Sequence, residues 1–473
     1  MSSSNTKLTH VAGTFLIQAD GAFLNGAGLG EGEDRNVTIP KTFRDGQRGE
    51  VPYVSAQAWK RWLRTTAIQE AGWPASEPQA IGWNPKGNVN KIAGQLNPVE
   101  FPEDDIFGYM RAQEGQGRRK ASEEDEEEET GGKTKSVMRA SPFAASLLVS
   151  LRSSGWKGED EGFVHLTKFD PKALAEAEAE RFLGSVSEKT QDKKKDPWKR
   201  LEEFGKEWAA QVKTAADESN LERLRQLLSA KAQEKNKEVT FIENATSPLP
   251  YTTRFYNTHL QAVFCLDYSR LGVFWNLGDR IELEEAKAKK FLEDGKIEDV
   301  TAQESYRTLS QNGTMGRVYR LRDGNNERKK RASSLFQALA LLRGGAKQAQ
   351  FGTDIAPKAL ILAGLTCGNP IFNHLFKDDT EGPLFKIETF KEIIADFADR
   401  IATPVLIGIR AGYLKNETEV RALDGWHLVK SATDINRTVM EKPFEEKPGE
   451  GQSVEVRIMT PLEAAKSIGE KLP

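Results

Sequence analysis

One predicted helix carries the residues whose types and spacing could bind an anion. It runs from about Ala56 to Gln69, and four polar or cationic side chains share one of its faces at i, i+3, i+4 and i+7: Gln57, Lys60, Arg61 and Arg64. Ser55 is a suitable N-cap, and free N–H groups at a helix N-terminus favour anions. The stripe could therefore bind nucleic-acid phosphates. Taken alone, the pattern is more typical of a solvated helix that packs through Trp59 and Leu63.

A doubled glycine follows a second predicted helix, Ser333 to Arg343. Gly344 and Gly345 would let the backbone approach a ligand closely. Lys347 and Gln348 then lie beside exposed backbone N–H groups. A plain glycine stop of the helix explains Gly344 equally well, but it explains the second glycine less well.

A third candidate is the basic segment from Arg317 to Arg331, which holds seven cations against two acids. Asp323-Gly324 predicts a turn between two short extended arms. Such a hairpin would bring Arg317 and Arg320 to a phosphate. A solvated loop accounts for the same residues equally well.

Composition excludes several classes of protein. The chain has 473 residues and a formal net charge of −3 from 67 Lys and Arg and 70 Asp and Glu, which excludes a globally basic nucleic-acid binder and leaves only a local patch. Cys265 and Cys367 are its two cysteines, too few for a disulfide framework or a cysteine-ligated metal. There is no HExxH, GxSxG, Walker or helix-opening GxGxxG pattern. We expect no enzyme activity, no metal and no cofactor.

The N-terminus lacks the apolar segment of a signal peptide, and the longest apolar stretches, such as Ala359 to Leu365, are far too short to span a membrane. We therefore expect a soluble, cytoplasmic protein with no membrane partner.

Periodicity predicts the elements that must position these residues. Strands are expected over Leu8–Ala19, Val137–Leu151, Arg254–Asp267, Ala359–Leu365 and Pro404–Ile409. In the first of these, Thr9, Val11, Phe15 and Ile17 fall on one face. Helices are expected around Lys386–Ile401 and, within a charged insertion, over Lys172–Leu183, Trp198–Lys213 and Leu221–Ala232. A polar run in the Arg254–Asp267 strand predicts one sheet face against polar material, and the tail after Glu441 is expected to be extended. Without the insertions, the order suits an α+β, ferredoxin-like sheet of the RNA-recognition type.

Several segments, in matching order, make the chain resemble a known family. The family is the repeated backbone subunit of CRISPR Cascade complexes, in the DevR-like group of type I-B systems, within the repeat-associated (RAMP) superfamily. Besides the opening strand, the segments are PYVSAQAWKRWLR at 52–64, DIFGYM at 105–110, RASPFAASLLVSL at 139–151, TRFYNTHLQAVFCLDYSRLGVF at 253–274, LLRGGAKQAQFG at 341–352, NPIFNHLF at 369–376 and VLIGIRAGYL at 405–414.

The resemblance implies a modified RNA-recognition palm with helical fingers and a thumb hairpin. It also implies the partners: CRISPR guide RNA, target DNA paired to it, further copies of the chain in a helical filament, and the large, guide-end and repeat-processing subunits of Cascade. By resemblance, RNA phosphates would be bound by Ser55, Gln57, Lys60 and Arg64, and the guide would be approached by the loop of Gly344, Gly345, Lys347 and Gln348. We add Arg61, Arg44, Arg317 and Arg320 as further candidates for RNA binding.

Composition and the resemblance together suggest an organisation into segments. These are 1–112, the first half of the palm with the guide-binding helix and the start of the fingers; 113–135, a disordered acidic loop; 136–151, a strand of the palm or fingers; 152–250, a charged helical insertion; 251–440, the second half of the palm with a possible thumb at 300–331; and 441–473, a polar tail. The loop 111–139 is the second candidate for the thumb.

Two other functions stay open. Type III relatives cut target RNA with an aspartate after the first strand, and Asp34 stands in the corresponding loop here; its alternative role is to cap a turn. The remaining alternative is a scaffold or regulatory protein that binds no nucleic acid.

Overall fold

The computed structural model describes two compact units. The sheet unit comprises residues 1–30, 39–159 and 254–473, and the insertion unit comprises 31–38 and 160–253. The residues described are 8–27, 37–76, 79–83, 89–93, 95–111, 136–152, 159–165, 171–186, 196–241, 249–277, 280–303, 316–322, 326–430, 438–441 and 453–473. Asp34, the acidic segment 113–135 and the turn Asp323-Gly324 lie outside them.

The elements follow in chain order. The N-terminal part contains β1 (His10–Ala22), β2 (Val37–Thr38), β3 (Thr42–Asp45), β4 (Gly49–Val54), α1 (Ala56–Ala71), β5 (Gln79–Trp83), β6 (Val89–Ala93), α2 (Pro102–Phe107), β7 (Tyr109–Arg111), β8 (Val137–Arg139), β9 (Phe143–Ala145), β10 (Leu148–Ser150) and β11 (Glu159–His165). The middle part contains α3 (Pro171–Val186), α4 (Pro197–Leu201), a 3-10 turn (Glu202–Phe204), α5 (Lys206–Asp217), α6 (Leu221–Glu234) and β12 (Leu249–Asp267).

The C-terminal part contains β13 (Val273–Leu277), β14 (Arg280–Ile281), α7 (Glu285–Glu293), β15 (Ile297–Asp299), β16 (Arg317–Leu321), α8 (Glu327–Ala340), α9 (Gln348–Phe351), β17 (Ala359–Leu365), β18 (Phe376–Lys377), β19 (Leu384–Phe385), α10 (Ile387–Asp396), β20 (Val405–Ile409), α11 (Glu417–Arg421), β21 (His427–Lys430), β22 (Thr438–Glu441), β23 (Ser453–Met459) and α12 (Pro461–Lys471). The expected α+β class is confirmed.

Strand β1 lies at the centre of the main sheet, in the order β22-β21-β23-β20-β17-β1-β12-β10-β4-β3. It is antiparallel to both neighbours, with His10 opposite Asp267 of β12 and opposite Leu365 of β17. Alternate residues of a strand face opposite sides. Val11, Phe15 and Ile17 therefore enter one core with α1, α8 and α12, as predicted.

The other side of the main sheet is also apolar. Ala12 and Leu16 enter a second core together with Cys265 of β12 and Phe390 of α10. The expected polar face is therefore limited to one end of β12, where Asn257 is exposed and His259 is half-buried. Gln261, from the polar run of β12, is buried and donates to Thr14 Oγ1 at 3.0 Å, so its polarity is satisfied inside the sheet.

A second sheet in this unit has the order β15-β16-β13-β14-β8-β7. Its strands β8 and β14 bring Arg139 and Glu282 into a buried ion pair with an N–O distance of 2.9 Å. The adjacent segment Val137–Leu151 is not a single strand, because the chain between Val137 and Ser150 forms β8, β9 and β10.

The insertion unit is built on a helical core of its own. The predicted helices correspond to α3, α5 and α6, although Gly205 separates α5 from the turn before it. The ring of Phe182 packs 5.4 Å from Phe204 and 5.4 Å from Trp208, between centroids. Leu224 and Leu228 of α6 complete this core.

Two segments predicted to be extended are helical in part. The second arm of the expected 317–331 hairpin is the beginning of α8, whose Arg331 is buried. The expected extended tail after Glu441 includes β23, which pairs parallel with β20, and then α12. Thr460 and Glu463 form a capping box at the start of α12, which fixes where that helix begins. Helix α10 is shorter than the predicted Lys386–Ile401.

Candidate nucleic-acid interface

Helix α1 is fixed at both ends and along its apolar face. The Ser55 side chain accepts a hydrogen bond from the Ala58 N–H, and Gly72 ends the helix in the left-handed region with φ 63°. Trp59 is fully buried, and its ring lies edge-on to Phe15 of β1 at 5.2 Å. The Trp59 indole N–H donates to the Ser146 carbonyl at 2.8 Å. The opposite, polar face of α1 is therefore held in one orientation.

A groove of about 780 Å³ runs along that polar face. One wall is α1, and the other is formed by α2 with the residues on either side of it. The lining residues include four members of the predicted stripe and two acids: Gln57, Lys60, Arg61, Arg64, Glu103 and Asp104. The structure thus brings the stripe together around one cavity, as its helical spacing requires.

Lys60 is a half-buried cation held by neutral groups. Its Nζ donates to Ser141 Oγ and to the Phe143 carbonyl, both at 2.9 Å, and lies 5.9 Å from the Phe143 ring centroid. Burial lowers the pKa of Lys60 below its ordinary value of 10.5. Within the described residues, no carboxylate lies within ion-pair distance of Lys60. Its charge is therefore available to an anion in the groove.

Arg64 stands in a different electrostatic environment from Lys60. Its Nε donates to Glu103 Oε2, and its Nη2 lies 3.5 Å from Asp104 Oδ1. Both carboxylates are buried and bonded further, since Glu103 accepts from the Ser76 N–H and Asp104 accepts from the Asn97 N–H at 3.1 Å. Burial raises the pKa of Asp104 above its ordinary value of 3.8.

Gln57 and Arg61 form the exposed part of the stripe, four residues apart and one turn along α1. Thr65, one further turn on, is exposed as well. This ridge flanks the half-buried Lys60, so the groove offers one recessed and one exposed cation, Lys60 and Arg61, on the same wall.

The acids of α2 are the residues that sequence reasoning missed. Glu103, Asp104 and Asp105 are consecutive and all buried, although Asp and Glu side chains are rarely fully buried unless they are paired. Pro102 at the first turn of α2 marks a helix start. No sequence pattern indicates that the side chains following it point inward.

The predicted glycine loop packs against the other edge of α1. A Cβ at Gly344 would lie 2.4 Å from Trp62 Cγ, and Gly344 and Gly345 have φ of 150° and 109°. Arg343 N–H donates to Thr66 Oγ1 at 3.1 Å. Close packing and positive φ together explain both glycines, and the loop and the helix form one continuous surface.

Lys347 and Gln348 extend that surface toward the end of β1. Lys347 Nζ lies 5.4 Å from the Phe23 ring centroid. The Gln348 amide N–H₂ donates to the carbonyls of Gly344 and Thr353, so this side chain braces the loop. Asn25, which is not among the predicted site residues, accepts a hydrogen bond from the Ser55 N–H at 3.1 Å. This bond connects the segment after β1 to the start of α1.

Three other predicted RNA-binding residues lie outside the groove lining. Arg44 is exposed on β3, opposite Glu50 of β4. Arg317 and Arg320 lie on β16 and pair with two acids of β15, Asp299 and Glu298. The structure therefore does not bring these arginines into the groove beside α1.

Among the described residues, no group of three or more His, Cys, Asp or Glu side chains could hold a metal ion. In the same residues, no helix combines the length and apolar character that a membrane crossing requires.

Comparison with known proteins places the chain beside two solved structures at low similarity. One is described as "CRISPR RNA-guided surveillance complex", with 9% identity and a TM-score of 0.35, covering 98% of this chain and 99% of that one. The other is "CRISPR RNA-guided surveillance complex, pre-nicking", with 8% identity and a TM-score of 0.40, covering 98% of this chain and 100% of that one. No protein-family model and no curated protein matches the sequence.

Proposed function

We propose that this chain is a non-enzymatic backbone subunit of a type I-B-like CRISPR Cascade complex, which assembles along a guide RNA and presents it for pairing with target DNA. The main support for the proposal is the environment of Lys60. A half-buried ammonium without a carboxylate partner in the described part of the chain is costly unless an anion compensates it. RNA phosphate supplies such an anion.

The fold supports the same proposal through its strand order. The order β17-β1-β12-β10, with α1 between β1 and β10 and α8 between β12 and β17, is that of a split βαβ sheet. We propose that these elements are the RNA-recognition-type palm. The resemblance of the sequence segments at 52–64 and 341–352 to the guide-binding helix and loop of the family is consistent with this assignment.

The mechanism follows from the positions of the charges. Phosphates of a single strand lie on the α1 wall against Lys60 and Arg61, with Gln57 as a hydrogen-bonding neighbour and the glycine loop alongside. These contacts read no base, because phosphate contacts position a strand without specifying its sequence. Sequence is then read by base pairing between guide and target. Further copies of the chain and the other Cascade subunits are the proposed protein partners.

The first test is expression with the neighbouring genes of the locus. We expect a complex whose 260/280 nm absorbance ratio shows bound RNA of uniform length. Purification free of RNA would contradict the proposal.

The second test uses single variants and a labelled single-stranded RNA. Lys60→Gln and Arg61→Gln should each flatten the plot of log K against log salt by roughly 0.7, which corresponds to one phosphate contact. Arg400→Gln, at an exposed position outside the groove lining, is the comparison variant and should leave the slope unchanged. Unchanged slopes in both groove variants would exclude α1 from the RNA path.

A third measurement separates the proposal from the ribonuclease alternative. Target RNA paired to the guide should remain intact with and without magnesium. Regular cleavage that Asp34→Ala abolishes would instead establish the ribonuclease.

A further inference from the structure

We propose that Glu103 and Asp104 withhold Arg64 from the bound strand, so that the groove holds nucleic acid with two of its three cations. This inference rests on the proposed function. It assigns to two buried acids the role of limiting the anion affinity of the site.

The geometry of Arg64 is the first support. A guanidinium binds a phosphate best through two parallel N–H groups on one edge. The edge formed by Nε and Nη2 is directed at Glu103 and Asp104. A phosphate would have to displace these carboxylates to gain the same bidentate contact.

The second support is that the acids cannot follow a displaced arginine into water. The side chains of Glu103 and Asp104 are 2% and 5% exposed, against 34% for Arg64. Backbone N–H groups of Ser76 and Asn97 hold the two carboxylates in place. Withdrawing Arg64 would leave two buried negative charges without their counter-ion, which is strongly unfavourable.

The third support is the difference between Arg64 and Lys60 in one cavity. Both line the groove, and they are four residues apart on one helix face. Lys60 is bonded to a hydroxyl and a carbonyl, whereas Arg64 faces two carboxylates. The stripe therefore contains two cations that are available to a phosphate, Lys60 and Arg61, and one that is not, Arg64.

The test compares the salt dependence of single-stranded RNA binding in a set of variants. Arg64→Gln should leave the slope of log K against log salt unchanged. Glu103→Gln keeps an oxygen for the Ser76 N–H and removes the carboxylate bound to Arg64 Nε, which leaves Arg64 only its 3.5 Å contact with Asp104. It should therefore raise affinity and steepen the slope by up to roughly 0.7, one additional phosphate contact. Glu103→Gln in the Arg64→Gln background should not steepen it, because no arginine is there to be released.

Folding of each variant is checked by circular dichroism. If Arg64→Gln alone does not fold, the doubly substituted variant, which removes one charge of each sign, provides the same comparison. A slope that falls by about 0.7 in Arg64→Gln or in the double variant, or a slope unchanged in Glu103→Gln, would overturn the inference.

Lys60→Gln separates failure of the withholding role from failure of the proposed function. If Lys60→Gln flattens the slope while Glu103→Gln changes nothing, only the withholding role fails. If Lys60→Gln and Arg61→Gln also leave the slope unchanged, α1 is excluded from the RNA path and the proposed function fails.

Discussion

The Arg139 side chain binds both the backbone carbonyl and the carboxylate of Asp105. The Arg139 Nε donates to the Asp105 carbonyl at 2.9 Å, and its Nη2 pairs with the Asp105 carboxylate. The same carboxylate accepts from Arg331 at 2.8 Å, and Arg139 also pairs with Glu282 at 2.9 Å. These charges join α2, β8, α8 and the residue that follows β14 inside the sheet unit, so the wall of the groove opposite α1 is anchored by a buried ionic network.

Arg139→Met should therefore lower the free energy of unfolding by about 3–5 kcal/mol, because it leaves Asp105 and Glu282 buried with fewer counter-ions. Urea denaturation followed by tryptophan fluorescence measures the change. The comparison variant is Arg317→Met, whose ion pair with Asp299 is largely solvent-exposed and should contribute about 0–1 kcal/mol. Equal effects of the two substitutions would contradict the anchoring role.

Gly344→Ala should destabilise the protein by about 1–3 kcal/mol, since the new Cβ would overlap Trp62. Displacement of the glycine loop from α1 should weaken RNA binding in parallel. Gly46→Ala serves as the control, because nothing lies within 4 Å of a Cβ built there. A fully stable Gly344→Ala variant with wild-type RNA affinity would show that the close approach is not needed.

Gly469→Leu tests the contact between α12 and α8. A Cβ at Gly469 would lie 2.5 Å from Ser333 Oγ, so a larger side chain must separate the helices at a cost of about 1–3 kcal/mol. Glu470→Leu introduces the same side chain one residue further on, where α12 is exposed, and should be nearly neutral. Thermal unfolding of both variants distinguishes helix packing from a general effect of added apolar surface.

His259 should make the protein less stable as the pH falls below its ordinary pKa of 6.5. Burial lowers the pKa of His259 in the folded state; Asp378 and Asp20 oppose this shift, and Arg152 adds to it. The unfolded state therefore takes up the proton first, and stability present above pH 6.5 is lost as the pH falls toward the folded pKa.

His259→Phe keeps a ring against Tyr413, which lies 5.4 Å away between centroids. We expect it to reduce the loss of stability between pH 6.5 and about 5, measured by denaturation at a series of pH values. His374→Asn, at an exposed position, should retain the wild-type slope. An identical slope in His259→Phe would mean that other groups cause the pH dependence.

The sequence predicted α1 and the core face of β1 because their signals are local. Ser55 and Gly72 mark the ends of the helix. Val11, Phe15 and Ile17 lie at alternate positions of the strand and therefore share its core face. Thr460 and Glu463 also form a local signal, a capping box, which would have identified α12 had the polar composition of the tail not outweighed it.

The environment of the charged residues could not be predicted in the same way. Asp105 is buried because Arg139 and Arg331, far away in sequence, reach it in the fold. Likewise, the spacing of Lys60 and Arg64 gives their common face, but the acids that divide them come from α2. Helical periodicity predicts which face of the helix a side chain occupies, whereas the partner of a charged side chain depends on tertiary contacts.

The central position of β1 has a consequence for folding during synthesis. This strand is made before both of its neighbours, which pair with it through residues such as Asp267 and Leu365. Contacts so distant in sequence close late and slow folding. While the ribosome completes β12 and β17, an apolar strand with unpaired backbone groups is exposed, and such segments aggregate readily. Synthesis of this protein should therefore depend on chaperones that bind the first strand until most of the chain has emerged.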